Sequence, residues 1–250
     1  MRWSLLVSLL LISFKVFSQS LAEKEIEDAR NKMESNQEYA YGIFLKYATQ
    51  GYANAQYELG ACYCTGEGVE LNYVEAEKWY RKAAEQNYAD AQLDLGWLYY
   101  EGNGVKQNYT EAIKWFQMAA EQEHMEAQFY TAVCYDKGYG VKQNPERAFY
   151  WYKKAADNGD LTALVNVGVC YENGSGVTKN EVEAAKCYRE AAEQDDDRGC
   201  CYLGMCYENG VGIAKNYNEA EKWYKKAIEQ DYADAYDRLL KLYNRKKWVD

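Results

Sequence analysis

Residues 55–86 read AQYELGACYCTGEGVELNYVEAEKWYRKAAEQ, and this stretch decides the fold. Residues 91–122 read AQLDLGWLYYEGNGVKQNYTEAIKWFQMAAEQ, which repeats the same order of small, aromatic, glycine and asparagine positions 36 residues later. Self-similarity at such a period is typical of a repeat architecture. The period holds without insertion or deletion through five units: Tyr52–Asn87, Tyr88–Glu123, His124–Gly159, Asp160–Asp195 and Asp196–Asp231.

The first half of each unit predicts a helix that packs closely against its neighbours. Small residues stand at the fourth and ninth positions, such as Ala55 and Gly60, and a tyrosine such as Tyr63 stands at the twelfth. Small residues let helix backbones approach, and we expect the tyrosine ring to fill the remaining gap. A pair of glycines, such as Gly66 and Gly68, then predicts the end of the helix, because glycine readily adopts a positive φ.

The second half of each unit predicts a second helix. An alanine and an aromatic residue four positions later, such as Ala76 and Tyr80, lie on one face of it. In four units a glutamate follows three residues after the helix start, as in a capping box, whereas Pro145 takes the first helical position in the third unit. Each second helix begins at an asparagine, a residue that favours helix starts: Asn72, Asn108, Asn144, Asn180 and Asn216.

Neither helix can bury its apolar face alone, so the pairs have to stack. The sequence therefore predicts an all-α fold, a right-handed α/α-superhelix (solenoid) of antiparallel helix pairs with about five full repeats and a cap at each end. In this plan residues 1–22 are a signal peptide and residues 23–51 form N-terminal capping helices. Residues 52–231 form the repeats, and residues 232–250 form a C-terminal capping helix with a basic tail.

Composition disfavours one class of partner and one class of fold. The chain has 29 basic and 39 acidic residues, a net charge of −10, which disfavours a nucleic-acid backbone as the main partner. The chain contains a single proline, which disfavours a β architecture with many turns. We expect no membrane span in the mature chain, and we expect a monomer.

The N-terminus has the features of a secretory signal. Arg2 supplies a positive charge, and Leu5–Phe14 form an apolar run that is too short to cross a bilayer. Small residues at Ser20 and Ala22 predict cleavage after Ala22, and the same spacing at Ser18 and Ser20 predicts cleavage after Ser20. An uncleaved N-terminal helix is the alternative. The expected location is secreted or periplasmic.

The segments AQYELGACYCTGEGV and NYVEAEKWYRKAAEQ together resemble the Sel-one-like repeat, a relative of the tetratricopeptide repeat. The resemblance covers residues 52–231. It implies the α/α-solenoid fold and a role as a protein-interaction scaffold or adaptor, because such families serve mainly as adaptors. A cysteine-rich secreted branch with similar repeats is associated with penicillin binding, so a β-lactamase-like or penicillin-binding protein is the implied alternative. That branch carries a regular cysteine pair in each repeat, which this sequence does not.

The sequence lacks the motifs of catalytic, metal and phosphate sites. His124 is the only histidine, which excludes a multi-histidine metal site, and we interpret it as a surface loop residue. No Ser-x-x-Lys element occurs. The glycine turns lack the GxxxxGK[ST] pattern and follow predicted helices rather than strands. We therefore expect no enzymatic activity, no cofactor and no metal.

The eight cysteines allow two interpretations. An even number in an exported chain favours some disulfide bridging, although connectivity cannot be deduced from sequence. Cys170 and Cys187 lie on the two predicted helices of one repeat, at positions expected to face the same core, and are the leading disulfide candidates. Alternatively, an apolar core position, filled by Leu98 in the second unit, accounts for the equivalent cysteines: Cys62, Cys134, Cys170 and Cys206.

One stripe of the first helices does not follow the core pattern. It comprises the third, seventh, tenth and fourteenth positions of each unit, which share a helix face. Stacked repeats would join such stripes into a continuous, concave surface suited to an extended or helical peptide, with tryptophan and tyrosine as typical hot-spot residues. The alternative is that the stripe packs neighbouring first helices together. The predicted partner-binding residues are Glu58, Asp94, Trp97, Tyr130, Val133, Asn166, Tyr202 and Met205.

Overall fold

The computed structural model describes residues 2–246. Within this range the chain forms 13 α-helices and no strand, and adjacent helices pack in pairs as the predicted solenoid. The helices are α1 (Arg2–Asn31), α2 (Gln37–Ala48), α3 (Ala53–Thr65), α4 (Tyr73–Ala84), α5 (Ala89–Glu101), α6 (Tyr109–Glu121), α7 (Met125–Lys137), α8 (Pro145–Asp157), α9 (Leu161–Asn173), α10 (Glu181–Glu193), α11 (Asp197–Asn209), α12 (Tyr217–Ile228) and α13 (Ala233–Lys246).

The chain divides into two compact units, residues 1–119 and residues 120–250. In the first unit, α3 packs against α4 of its own repeat and against α2 before it, and α5 packs against α4. In the second unit, α9 packs in the same way between α8 and α10, and α11 packs between α10 and α12. The first helices α9 and α11 touch each other only slightly. First helices are thus held mainly by second helices.

In four repeats the ninth position has to be glycine, because an aromatic ring packs directly against its backbone. A Cβ atom on Gly60 would lie 2.6 Å from Cδ1 of Tyr80, which leaves no space for a side chain. The ring therefore comes from the second helix of the same repeat, and not from the tyrosine at the twelfth position as we expected. Tyr63 instead reaches α2 of the N-terminal cap, where its hydroxyl lies 3.0 Å from that of Tyr41. The same glycine–ring contact joins Gly96 to Phe116, Gly168 to Tyr188 and Gly204 to Tyr224.

Helix ends follow the sequence prediction. The backbone of Gly66 has φ 81° and ends α3 in the left-handed conformation, and the corresponding glycines end α5, α7, α9 and α11. The Asn72 side chain accepts hydrogen bonds from the amides of Val74 and Glu75 at the start of α4. His124 caps α7, because its Nδ1 accepts a bond from the Ala127 amide at 3.4 Å. It is therefore a helix cap, and not merely the surface loop residue that we expected.

Buried glutamines connect each of the first three repeats to the helix that precedes it, a contact that the sequence did not predict. The fifth position of the repeat carries Gln56, Gln92 and Gln128, and all three are buried. Each donates a hydrogen bond to a carbonyl oxygen near the end of the preceding second helix. The acceptors are Ala48 for Gln56 at 3.2 Å, Ala84 for Gln92 at 3.1 Å and Ala120 for Gln128 at 3.3 Å.

Helix α1 is continuous across both predicted cleavage sites. The first capping helix, which we expected to begin after the signal peptide, is instead the second half of α1 and ends at Asn31. Ala22, Ile26 and Ala29 are buried in the core of the first unit. No helix of the described residues has both the length and the apolar character that a membrane span needs. In the predicted basic tail, Arg245 pairs with Glu208 at 2.7 Å, and Lys247 lies outside the described residues.

Candidate functional site

The predicted partner-binding residues lie on first helices and share an intermediate burial. We call them the first-helix face. Every one is half-buried, and none is fully enclosed or fully exposed. Three belong to the first unit (Glu58, Asp94 and Trp97) and five to the second (Tyr130, Val133, Asn166, Tyr202 and Met205).

Glu58 is engaged by an ion pair within the first unit. Nε of Arg30 donates to Oε1 of Glu58 at 2.7 Å, and Nη2 of the same guanidinium lies 2.6 Å from that oxygen. Burial raises the pKa of the Glu58 carboxyl, and Arg30 opposes this effect. Because α1 supplies Arg30, the N-terminal helix contributes to the first-helix face, which the sequence analysis did not predict.

A groove of about 410 Å³ lies between α3, α4 and α5, and we call it the Trp97 groove. Asp94, Trp97 and Glu101 line it from α5. Packing fixes the indole of Trp97, which meets the ring of Tyr100 at 5.2 Å and that of Phe116 at 5.6 Å, both edge to face. The groove therefore has one aromatic wall that is already ordered.

In the second unit, Tyr202 and Met205 pack on the core with part of each side chain and remain half-exposed with the rest. The ring of Tyr202 stacks on Tyr188 of α10, with centroids 5.0 Å apart and planes inclined by 29°. Asn166 accepts a hydrogen bond from Arg198 at 3.3 Å. These contacts hold polar and apolar groups in fixed positions on α9 and α11.

All eight cysteines are free thiols. The predicted Cys170–Cys187 bridge is not formed, and burial raises the pKa of both thiols to about 11. Burial also raises the pKa of Cys62, Cys134 and Cys206 to about 12, in keeping with an apolar core position. Within the described part of the chain, no three His, Cys, Asp or Glu side chains are grouped so that they could hold a metal ion.

The sequence model of the Sel1 repeat family matches five consecutive segments of the chain: 53–88, 89–124, 126–160, 161–196 and 197–232. The chain belongs to the Sel1 repeat family. Sel1 repeat proteins generally act as protein-interaction scaffolds, and their fold is typically not enzymatic. Among curated proteins, no sequence is significantly similar to this Sel1 repeat protein.

Two solved structures share both fold and sequence with this Sel1 repeat protein. One is c5321 of uropathogenic Escherichia coli, a protective antigen with an SLR fold. It is 34% identical with a TM-score of 0.83, and the match covers 91% of this chain and 50% of that one. The other is a Sel1 repeat protein from Oxalobacter formigenes, 33% identical with a TM-score of 0.80, where 86% of each chain is covered. This Sel1 repeat protein thus spans half the length of the c5321 chain.

Proposed function

We propose that this Sel1 repeat protein is an exported scaffold that binds a peptide or protein partner along the first-helix face. The observation that carries the proposal is the intermediate burial of all eight predicted residues. Their helices are already anchored through other faces, by the glycine–ring contacts and the buried glutamines. Part of each side chain therefore faces solvent and can contact a partner.

The chemistry of the face suits a polypeptide. Trp97 and Tyr202 offer apolar surface that is ordered by neighbouring rings, and Met205 packs on the core, so little side-chain entropy is lost on binding. Asp94 and Asn166 add polar groups beside them. A mixture of apolar anchors and polar hydrogen-bonding groups is characteristic of peptide-binding surfaces.

Export is supported by the signal-like N-terminus and is compatible with the thiols. Six of the eight cysteines are buried, and the raised pKa values keep the reactive thiolate scarce near neutral pH. The position of Ala22 favours one of the two cleavage sites. Its side chain is 1% exposed in the core of the first unit, so cleavage after Ser20 retains this contact and cleavage after Ala22 removes it. N-terminal sequencing of the mature protein is expected to begin at Leu21.

The binding role is tested by covalent capture of partners from the compartment where the protein accumulates. Tyr202→Ala and Met205→Ala are expected to reduce capture at least about tenfold, because hot-spot truncations cost about 2 kcal/mol or more. Tyr150→Ala is the matched control, since Tyr150 is 52% exposed on the second helix α8. Circular dichroism and melting of each variant separate loss of contact from loss of folding. Equal capture by Tyr202→Ala and wild type, with folding intact, would contradict the placement.

The β-lactam-binding alternative is not part of the proposal, because no contact among the described residues favours it. Incubation of the purified protein with nitrocefin is the simplest check. Nitrocefin turnover that a single substitution abolishes would favour the β-lactam-binding function over the scaffold function.

A further inference from the structure

The Trp97 groove combines aromatic rings with carboxylates. Its lining includes Tyr73 and Tyr80 from α4, Trp97 from α5, and the carboxylates of Asp94 and Glu101. None of the described residues that line it is basic. The described lining of the groove therefore carries negative charge and no positive charge.

The groove is open because the first repeat has small residues at two positions, Ala61 at the tenth and Cys64 at the thirteenth. The second repeat has Trp97 and Tyr100 at these positions, and the ring of Tyr100 meets Tyr109 at 5.0 Å and Trp97 at 5.2 Å. A thiol is far smaller than a phenol, so the space that Tyr100 fills in the second repeat stays empty beside Cys64.

The fourth and fifth repeats use the same position differently. There the thirteenth residue is Glu172 or Glu208, and each carboxylate accepts a 2.7 Å hydrogen bond from the tyrosine of the second helix, Tyr188 or Tyr224. The first repeat keeps that tyrosine as Tyr80 but has a thiol in place of the carboxylate at the thirteenth position. Negative charge enters the groove instead from the next helix, through Asp94.

The influence of Asp94 reaches the base of the groove. Burial raises the pKa of the Cys64 thiol, and the Asp94 carboxylate raises it further. The same two causes, in the same order, raise the pKa of the Tyr80 hydroxyl. A carboxylate that opposes a second negative charge nearby attracts a positive charge to the same region.

We propose that the Trp97 groove binds one cationic side chain, lysine or arginine, of the partner peptide. The inference rests on the proposed function and assigns a residue class to the partner of the same face. The aliphatic stem would lie along Trp97 and Tyr80, where aromatic faces attract cations, and the charged end would meet Asp94 and Glu101. Lysine is the better fit if a point charge suffices, and arginine if both carboxylates are used.

The test uses the immobilised full chain and a positional-scanning library of short acetylated peptides at low salt. For wild type we expect lysine and arginine to be enriched at one position by about tenfold or more over norleucine, which has a similar stem and no charge. Asp94→Asn is expected to lower this preference at least about fivefold, because it removes a carboxylate and keeps the side-chain size. Cys64→Tyr, which installs the residue of the second repeat, is expected to abolish the preference. Asp157→Asn removes an exposed carboxylate from α8 and is expected to leave it unchanged.

The outcomes separate the inference from the function on which it rests. Two results would overturn the assignment of the groove and leave the scaffold function standing. One is that wild type enriches peptides without a preference for lysine or arginine, and the other is that Asp94→Asn and Cys64→Tyr both leave such a preference intact. A wild-type chain that enriches no peptide would overturn peptide binding and the inference together. Because Asp94→Asn is nearly isosteric, it keeps the test decisive if Cys64→Tyr does not fold.

Discussion

The side-chain amide of Gln92 donates a 3.1 Å hydrogen bond to the carbonyl oxygen of Ala84, and Gln92 is fully buried. Ala84 is the last residue of α4, and its carbonyl oxygen also accepts a bond from the Asn87 amide at 3.0 Å. The Gln92 side chain therefore adds a second donor at the end of one repeat, from the first helix of the next repeat. It shows that successive repeats are joined by specific polar contacts as well as by apolar packing.

Gln92→Leu is expected to destabilise the protein by about 0.5–1.5 kcal/mol, because the hydrogen bond to the Ala84 carbonyl is lost while the bond from the Asn87 amide remains. Urea denaturation at neutral pH measures the change. Gln50→Leu, at an exposed position in the same unit, is expected to stay within about 0.5 kcal/mol of wild type. Equal losses in the two variants would mean that the buried bond contributes nothing specific.

Substitution of glycine by alanine is expected to change stability in opposite directions at two helical positions. A Cβ on Gly204 would lie 2.7 Å from the ring of Tyr224, so Gly204→Ala is expected to cost about 1–3 kcal/mol through overpacking. Gly42 lies inside α2, where an added Cβ would meet no neighbouring atom within 4 Å, so Gly42→Ala is expected to stabilise by about 0.5–1 kcal/mol. Thermal unfolding of both variants checks the pair, and a stabilising Gly204→Ala would refute the close contact.

The last residue of the second repeat carries backbone strain. Glu123 has φ 66°, a left-handed conformation that the first and third repeats reach with Asn87 at φ 65° and Gly159 at φ 101°. Glu123→Gly is expected to stabilise by about 0.5–1 kcal/mol, because relief of the left-handed strain exceeds the entropic cost of glycine. Asn87→Gly should gain less, since asparagine tolerates this conformation. Chemical denaturation gives both values, and a larger gain at Asn87 than at Glu123 would contradict the argument.

Stability is expected to fall at alkaline pH. Burial raises the pKa of the Cys62, Cys134 and Cys206 thiols from an ordinary value near 9 to about 12. A raised folded-state pKa stabilises the protein fully below pH 9, and this stabilisation is lost progressively as the pH rises towards 12. The free energy of unfolding should therefore be at least about 2 kcal/mol lower at about pH 10.5 than at about pH 8.

The control for the alkaline loss is a variant with alanine at all three cysteines. The stability of this variant should fall less between the same two pH values, because the three thiols that ionise are gone. Some loss should remain, because burial also raises the pKa of tyrosines such as Tyr188 and Tyr224. A wild-type profile that is flat across this range would show that these thiols ionise as easily in the folded protein as in the unfolded chain.

The sequence predicted the elements of the fold better than the contacts between them. The helix starts at asparagine and the helix ends at glycine follow from local backbone chemistry, so Asn72 and Gly66 could be assigned from sequence. The partner of Gly60 could not, because the register between two helices decides that Tyr80 rather than Tyr63 reaches it. The glutamine contacts were missed for a related reason, since the fifth position changes to Leu164 and Cys200 in later repeats.

The candidate site was predictable as a stripe but not as a shape. Helical spacing alone placed Trp97 and Tyr202 on one kind of helix face. The Trp97 groove depends on two differences in side-chain volume between the first and second repeats, Ala61 against Trp97 and Cys64 against Tyr100, which a periodic pattern does not register. The ion pair between Arg30 and Glu58 depends on where α1 packs, outside the repeating segment.

We expect partners to bind the first helices. Hydrogen–deuterium exchange of the full chain, with and without a captured partner, measures this directly. Added protection is expected in peptides from α9 and α11, or from α3 and α5, with little change in α8, α10 and α12. Protection confined to the second helices, or an exchange pattern that the partner does not alter, would contradict this expectation.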